Sequence, residues 1–224
     1  MALDKYNKKR DFDKTPEPAG GKKAGATELR FVVQRHQAST LHYDFRLEME
    51  GVLKSWAVPK GPSLDPEDKR LAMMVEDHPY SYRTFEGDIP EGNYGAGHVD
   101  IWDEGTYTAA GAKNKAAAEK ELLQGLAEGS ISFVLQGNKL QGEFALVKMK
   151  GRQKDAWLLI KKRDEFAQEG YDSEEHLSKA VTGKKTAVAA KPKATATPAA
   201  TAEKETEKKS KKDTVKSKPA DKAK

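Results

Sequence analysis

The chain has no cysteine among its 224 residues. That one absence excludes disulfides, thiolate-held metals and cysteine nucleophiles together. It also lacks any run of 18 apolar residues, and residues 1–10 contain no apolar core of a signal peptide. A membrane-spanning helix and a secretion signal are therefore not expected. Hydrophobic residues make up 37% and charged residues 33%, which is more polar than an ordinary globular domain. The expectation is a soluble intracellular chain with room for one domain and an appendage.

The appendage shows in what the end of the chain lacks. Residues 181–224 contain no aromatic residue, no Leu, Ile or Met, and no arginine; Ala, Lys, Thr and Pro dominate. Such a segment cannot bury enough surface to offset the entropy of ordering, so residues 179–224 are expected to form a disordered tail. Its thirteen lysines against five acids give a net +8, and because the whole chain carries +5, residues 1–180 carry −3. The basic character thus belongs to the tail, which reads as a polycation for nucleic-acid phosphates rather than a mere solubiliser.

The rest reads mainly as β-structure. Short apolar or alternating runs at residues 29–36, 41–50, 52–58, 71–76, 98–102, 131–135, 143–149 and 157–162 are separated by turn signals, among them Pro59-Lys60-Gly61-Pro62, Asp103-Glu104-Gly105 and Gly137-Asn138-Lys139. Only residues 113–127 carry a helical pattern, with Leu122, Leu123 and Leu126 on one side. No internal repeat is present. The expected fold is mainly all-β: a small closed or nearly closed barrel of about eight strands with one short helix. Trp56, Trp102 and Trp157 fall in expected strands and read as core.

Polar chemistry concentrates in His42-Tyr43-Asp44-Phe45-Arg46-Leu47-Glu48. On a strand these side chains alternate, so His42, Asp44, Arg46 and Glu48 share one face and Tyr43, Phe45 and Leu47 the other. The aromatic set needs the core. The charged set faces either solvent or a polar cavity inside the barrel. A hairpin through residues 37–40 brings His36 beside His42, and two imidazoles with a carboxylate make an N,N,O donor set suited to Mn2+, and less strongly to Fe2+ or Zn2+. Arg46, two positions past Asp44, would lie next to the metal, where a guanidinium can fork onto a phosphate. Read from the residues alone, a metal site and an ordinary polar strand remain equally open.

Longer stretches carry a resemblance. Gln34-Arg35-His36 with Ser39-Thr40-Leu41-His42-Tyr43-Asp44-Phe45-Arg46-Leu47-Glu48 closely resembles the 3′-phosphoesterase domain of bacterial DNA ligase D. So do Lys9-Arg10-Asp11-Phe12 with Thr15-Pro16-Glu17-Pro18, Ser55-Trp56-Ala57-Val58-Pro59-Lys60-Gly61-Pro62, Glu76-Asp77-His78-Pro79 with Tyr82, and Phe85-Glu86-Gly87 through Tyr94-Gly95-Ala96-Gly97. The resemblance spans about residues 5–165. It implies a manganese-dependent β-barrel hydrolase that trims DNA 3′ ends, removing a terminal ribonucleoside as a phosphodiesterase and then the 3′-phosphate as a phosphomonoesterase, to leave a 3′-hydroxyl for repair and end joining. It further implies His36, His42 and Asp44 as metal ligands, Arg46 and His78 on the scissile phosphate, and Tyr82 as a further catalytic residue. Gln34, Lys60 and Arg70 match supporting phosphate-binding positions. Arg10, Asp11 and Glu17 match an N-terminal arm, residues 1–28, that serves the diesterase step, with the barrel over residues 29–178. By composition that arm looks disordered, and its folding over substrate rests on the resemblance. His78, as an imidazolium, would donate to a phosphate oxygen or protonate the leaving oxygen.

The chain has no Lys-x-Asp-Gly ligase nucleophile motif and reads as a stand-alone version of a module often fused to ligase and polymerase domains. Its expected partners are DNA 3′ ends together with a separate ligase and a DNA-end-binding protein, with no membrane, in the cytoplasm or on the nucleoid. The alternatives are a non-catalytic DNA-end-binding accessory protein, or the same barrel hydrolysing another phosphate ester such as an RNA end. Deleting residues 181–224 is predicted to weaken duplex binding and flatten its salt dependence by about 0.7–0.9 in log–log slope for each phosphate the tail had neutralised. An unchanged slope across a salt titration would contradict the polycation reading.

Overall fold

The computed structural model describes residues 3–21, 27–151 and 153–177, so the expected tail at 179–224 lies outside the described residues. Ten strands run in one sheet: β1 (Leu29–Gln37), β2 (Leu41–Met49), β3 (Val52–Val58), β4 (Lys69–Met74), β5 (His78–Pro79), β6 (Gly87–Ile89), β7 (Gly97–Ala109), β8 (Ser130–Gly137), β9 (Gln141–Lys148) and β10 (Ala156–Lys161). Eight of them close antiparallel in the order β1-β2-β3-β4-β10-β9-β8-β7, and β7 pairs back onto β1. Closure leaves those eight no free edge. β6 extends the sheet beyond β7, and β5 pairs with β3. Among the described residues no helix is long and apolar enough to cross a membrane.

Alternation along the strands fills the barrel. Phe31, Phe45, Trp56, Ala72, Trp102, Phe133, Phe144 and Trp157, one from each of the eight closing strands, belong to a single buried cluster. The three tryptophans are core, as their strand positions implied. The expected helix is α2 (Lys115–Glu128), whose start is capped by Asn114: its side chain accepts the Ala117 N–H at 3.0 Å. Ala118 and Leu122 join the barrel core, with Leu123 and Leu126 packed against it.

A second, smaller cluster lies apart from the interior: Tyr6, Leu53, Tyr82, Phe85, Ile89 and Val99, with Leu3, Phe12 and Tyr80 packed against them. It is built from the arm, from the segment running through β5, a 3-10 turn at Tyr80–Thr84 and β6, and from Leu53 of β3 and Val99 of β7. The arm is thus not the loose segment its composition suggested. It carries a short helix, α1 (Asp4–Lys8), and the Tyr6 hydroxyl donates to the Pro18 carbonyl at 2.7 Å, tying that helix to the Thr15–Pro18 stretch.

Asp103-Glu104-Gly105 is strand rather than turn, a correction to the expectation from sequence. The Asp103 carboxylate accepts the N–H groups of Asn138, Lys139 and Leu140 at 2.9, 3.1 and 2.8 Å, so its turn chemistry serves the neighbouring β8–β9 connection. Gly105 allows close strand approach: a Cβ there would lie 2.1 Å from the Gln136 carbonyl oxygen. Gly105→Ala is predicted to destabilise the fold by about 1–3 kcal/mol, because neighbouring backbone must shift. Urea unfolding measures this, and an unchanged midpoint would contradict it.

Candidate active site

The antiparallel register of β1 and β2 sets His36 opposite His42, Gln34 opposite Asp44 and Val32 opposite Arg46. All six residues share a face, and it is the one turned away from Tyr43, Phe45 and Leu47, which lie in the main core. Neither open alternative holds. The charged face is the outer wall of the barrel: Asp44 and Arg46 are buried there beside the arm and the 78–89 segment, Glu48 is buried with Lys115 as its partner, and His42 stays partly exposed.

The ligand atoms of His36, His42 and Asp44 all lie within 4.8 Å of one another. His36 Nδ1 stands 3.5 Å from Asp44 Oδ2, and His42 Nε2 stands 3.7 Å from Asp44 Oδ1. The opposite ring nitrogens face carbonyls: His36 Nε2 is 2.9 Å from Gly95 O, and His42 Nδ1 is 3.0 Å from Thr40 O. A carbonyl only accepts, so Nε2 of His36 and Nδ1 of His42 carry the hydrogens. That leaves His36 Nδ1 and His42 Nε2 as the ring nitrogens turned toward Asp44. Burial alone would raise the Asp44 pKa, but Arg46 outweighs it, with His36 and His42, and holds the carboxyl well below the usual carboxylate range. Two imidazole nitrogens and an ionised carboxylate gathered this closely fit a divalent cation, and the absence of thiolate favours a borderline or hard one.

Arg46 is held on two sides. Its Nε donates to Gln34 Oε1 at 2.7 Å and its Nη2 to Asp44 Oδ2 at 3.0 Å, while its guanidinium lies 4.8 Å from the Tyr82 ring centroid. Gln34 is fixed in turn, donating to the carbonyls of Tyr82 and Phe85 at 3.0 and 2.9 Å. Arg46 Nη1 is buried without a partner. A buried charged donor left over in an otherwise satisfied network invites an anion.

The arm supplies the opposite wall. Arg10 donates from Nε to Glu17 Oε1 at 2.8 Å and from Nη1 to Glu76 Oε1 at 3.3 Å, its guanidinium stacks 3.9 Å from the Tyr6 ring centroid, and its Nη2 lies 3.3 Å from His78 Nε2. Glu17 Oε1 also accepts the Tyr82 hydroxyl at 2.9 Å, and Thr15 donates to Glu17 Oε2 at 2.9 Å. His78 Nδ1 donates to the Glu76 carbonyl at 2.9 Å, which leaves Nε2 to accept from Arg10. Burial, reinforced by Arg46 and Arg10, pushes the His78 pKa well below the ordinary imidazole range. The resting ring is therefore neutral with Nε2 as acceptor, not the imidazolium anticipated from sequence.

The structure thus gathers Gln34, His36, His42, Asp44, Arg46, His78, Tyr82, Arg10 and Glu17. It does not gather three others. Asp11 is exposed and pairs with Lys14 at 2.8 Å. Lys60 and Arg70 line a separate hollow with Leu41, Tyr43 and Glu174, where Arg70 Nη2 bonds Asp68 at 2.7 Å. Sequence reasoning passed over Glu76 as a partner of Arg10, although it stands in the same short motif as His78. It also passed over the carbonyls of Thr40 and Gly95, since backbone acceptors leave no residue-type signal.

If these three side chains hold a cation, Mn2+ at 100 times its dissociation constant stabilises the fold by about 2.7 kcal/mol. The Tm is predicted to rise on titration with Mn2+, and the rise to vanish in His42→Ala. An equal rise in that variant would place the ion elsewhere.

The sequence profile described as the DNA Ligase D 3′-phosphoesterase domain matches residues 34–148. The chain is 51% identical over 166 residues to the multifunctional non-homologous end joining protein LigD of Pseudomonas aeruginosa, covering 72% of this chain and 19% of the relative. It is 42% identical over 166 residues to the LigD of Mycolicibacterium smegmatis (73% and 21%) and 39% identical over 171 residues to that of Mycobacterium tuberculosis (76% and 21%). The chain therefore spans about a fifth of the length of these curated relatives. The profile match runs from Gln34, which anchors Arg46, to the end of β9, and the chain belongs to the DNA ligase D 3′-phosphoesterase domain family.

Proposed function

We propose that the chain is a Mn2+-dependent hydrolase of DNA 3′ ends, removing a terminal ribonucleoside by phosphodiester cleavage and then the remaining 3′-phosphate to leave a 3′-hydroxyl. The observation that carries this reading is the convergence of three ligand atoms within 4.8 Å beside a buried guanidinium that still has a free donor. Family membership supports the substrate class, and the relatives' names place them in non-homologous end joining. On this reading the chain acts in the cytoplasm, preparing ends for a ligase.

His36, His42 and Asp44 would hold the cation, which supplies Lewis-acid polarisation of a phosphate oxygen. Arg46 then binds the phosphate through Nη1 without first giving up Gln34 or Asp44, so it reaches the anion already oriented. The neutral His78 ring accepts a hydrogen bond at Nε2, a position suited to orienting or taking up a proton at the reacting centre. Arg10 stands between His78 and two carboxylates, and we assign it and Glu17 to holding the nucleoside side of a diester rather than a bare phosphate. Tyr82 keeps its proton, since burial raises its pKa well above that of a free phenol, and it braces Glu17 and His78. Asp11, Lys60 and Arg70 have no part in this arrangement.

A 5′-labelled primer ending in one ribonucleotide on a longer template tests the reading. With Mn2+ the expected product is one nucleoside shorter, passing from 3′-phosphate to 3′-hydroxyl; EDTA and His42→Ala abolish both steps. Arg46→Ala is predicted to lower kcat about 10²- to 10³-fold on both substrates, as the loss of one charge-stabilising donor does. Tight duplex binding without turnover would instead mark an accessory end-binding protein.

A further inference from the structure

One aromatic ring near the site is neither core nor roof. Tyr94 keeps 49% of its surface exposed, alone among the described tyrosines and tryptophans in standing out as a large exposed side chain. Its position is nonetheless set. The next residue, Gly95, gives the carbonyl that accepts from His36 Nε2 at 2.9 Å. Lys9 Nζ donates to the Tyr94 hydroxyl at 3.1 Å and lies 4.3 Å from the ring centroid, and the Arg10 guanidinium lies 5.6 Å from that centroid while touching His78. The ring is thus coupled on one side to a metal-ligating histidine and on the other to the arm. Beside it opens a hollow of about 490 Å³ lined by Lys5, Lys9, Met74, Glu76, Asp77 and Tyr94, a size in the range of small-molecule sites. Two of the three carboxylates there are compensated, Glu76 by Lys9 and Arg10 and Asp77 by Lys54; the third is Asp155.

We propose that Tyr94 is the stacking platform for the base of the 3′-terminal nucleoside, the part of a diester substrate that a 3′-phosphate end lacks. The inference rests on the 3′-end reading above. A half-exposed ring held in place presents a π-face to a base at little ordering cost, and such stacking is tolerant of base identity. The cations beside it suit the polyanionic strand. The hollow is bordered by the arm through Lys5 and Lys9, and it has room for a nucleoside that a 3′-phosphate end does not carry.

Two readouts test this with the full chain. First, a primer ending in 5-iodouridine is bound in EDTA and irradiated, and the adduct is mapped by mass spectrometry. An adduct on Tyr94 is expected; an adduct confined to other residues, or none despite binding, overturns the proposal whether or not the protein turns over. Second, KM is measured in Mn2+ on primers ending in a ribonucleoside or in a 3′-phosphate. Tyr94→Ala is expected to raise the ratio of the two KM values about tenfold, and Tyr94→Phe to leave it near wild type. An unchanged ratio, or an equal loss on both substrates, overturns the assignment to the terminal base. If the wild-type protein binds but cleaves neither primer, the 3′-end reading fails, and the crosslink alone decides the stacking claim.

Discussion

Burying a guanidinium is costly unless its neighbours compensate the charge, and Arg46 keeps just 2% of its side chain exposed. Its hydrogen-bond partners come from two strands. Asp44 lies on its own strand, Gln34 lies on the neighbouring strand, and Gln34 is oriented in turn by the carbonyls of Tyr82 and Phe85. The Tyr82 hydroxyl reaches Glu17, and Glu17 holds Arg10. One buried charge on the outer wall of β2 therefore requires the 78–89 segment and the arm to fold over it. The same charge keeps Asp44 ionised against its burial, which gives the two histidines a carboxylate to share.

The barrel's contribution is stiffness in one direction and freedom in the other. Interior positions of β2 are committed to the aromatic core, so the outward positions are fixed in register by packing they take no part in. Chemistry can be carried on that outer face without opening a hole in the core. The roof is separate: a small apolar cluster around Tyr6 and Tyr82, threaded by the Arg10–Glu17–Glu76 charges. Losing one partner from such a buried set exposes the others to an uncompensated charge, which costs about 3–5 kcal/mol. Arm and site are coupled for that reason.

The sequence was most legible where periodicity and spacing act over short range. The split of β2 into an aromatic and a charged face follows from residues 42–48 alone, and the six-residue spacing from His36 to His42 across a hairpin places the two rings together, with centroids 4.7 Å apart. It was least legible where a residue's local signal serves a distant partner. Asp103 serves another loop and Gly105 a close strand approach, although both read as turn residues, which hid the length of β7. β5 and β6, of two and three residues, are too short for any pattern. The arm's charges read as solvent-facing because their partners, Glu76 and His78, lie more than sixty residues away. For Lys60 and Arg70 the resemblance suggested a shared site, but they lie in the strand-end hollow beside Tyr43 and Glu174.

The central claim is that His36, His42 and Asp44 form a metal-binding set beside Arg46. Anomalous diffraction at the manganese edge, from crystals grown with Mn2+, tests it directly. The account predicts one strong peak between His36 Nδ1, His42 Nε2 and the Asp44 carboxylate, with Arg46 still bonded to Gln34. A peak elsewhere, or none at this position while the ion is bound in solution, would contradict it.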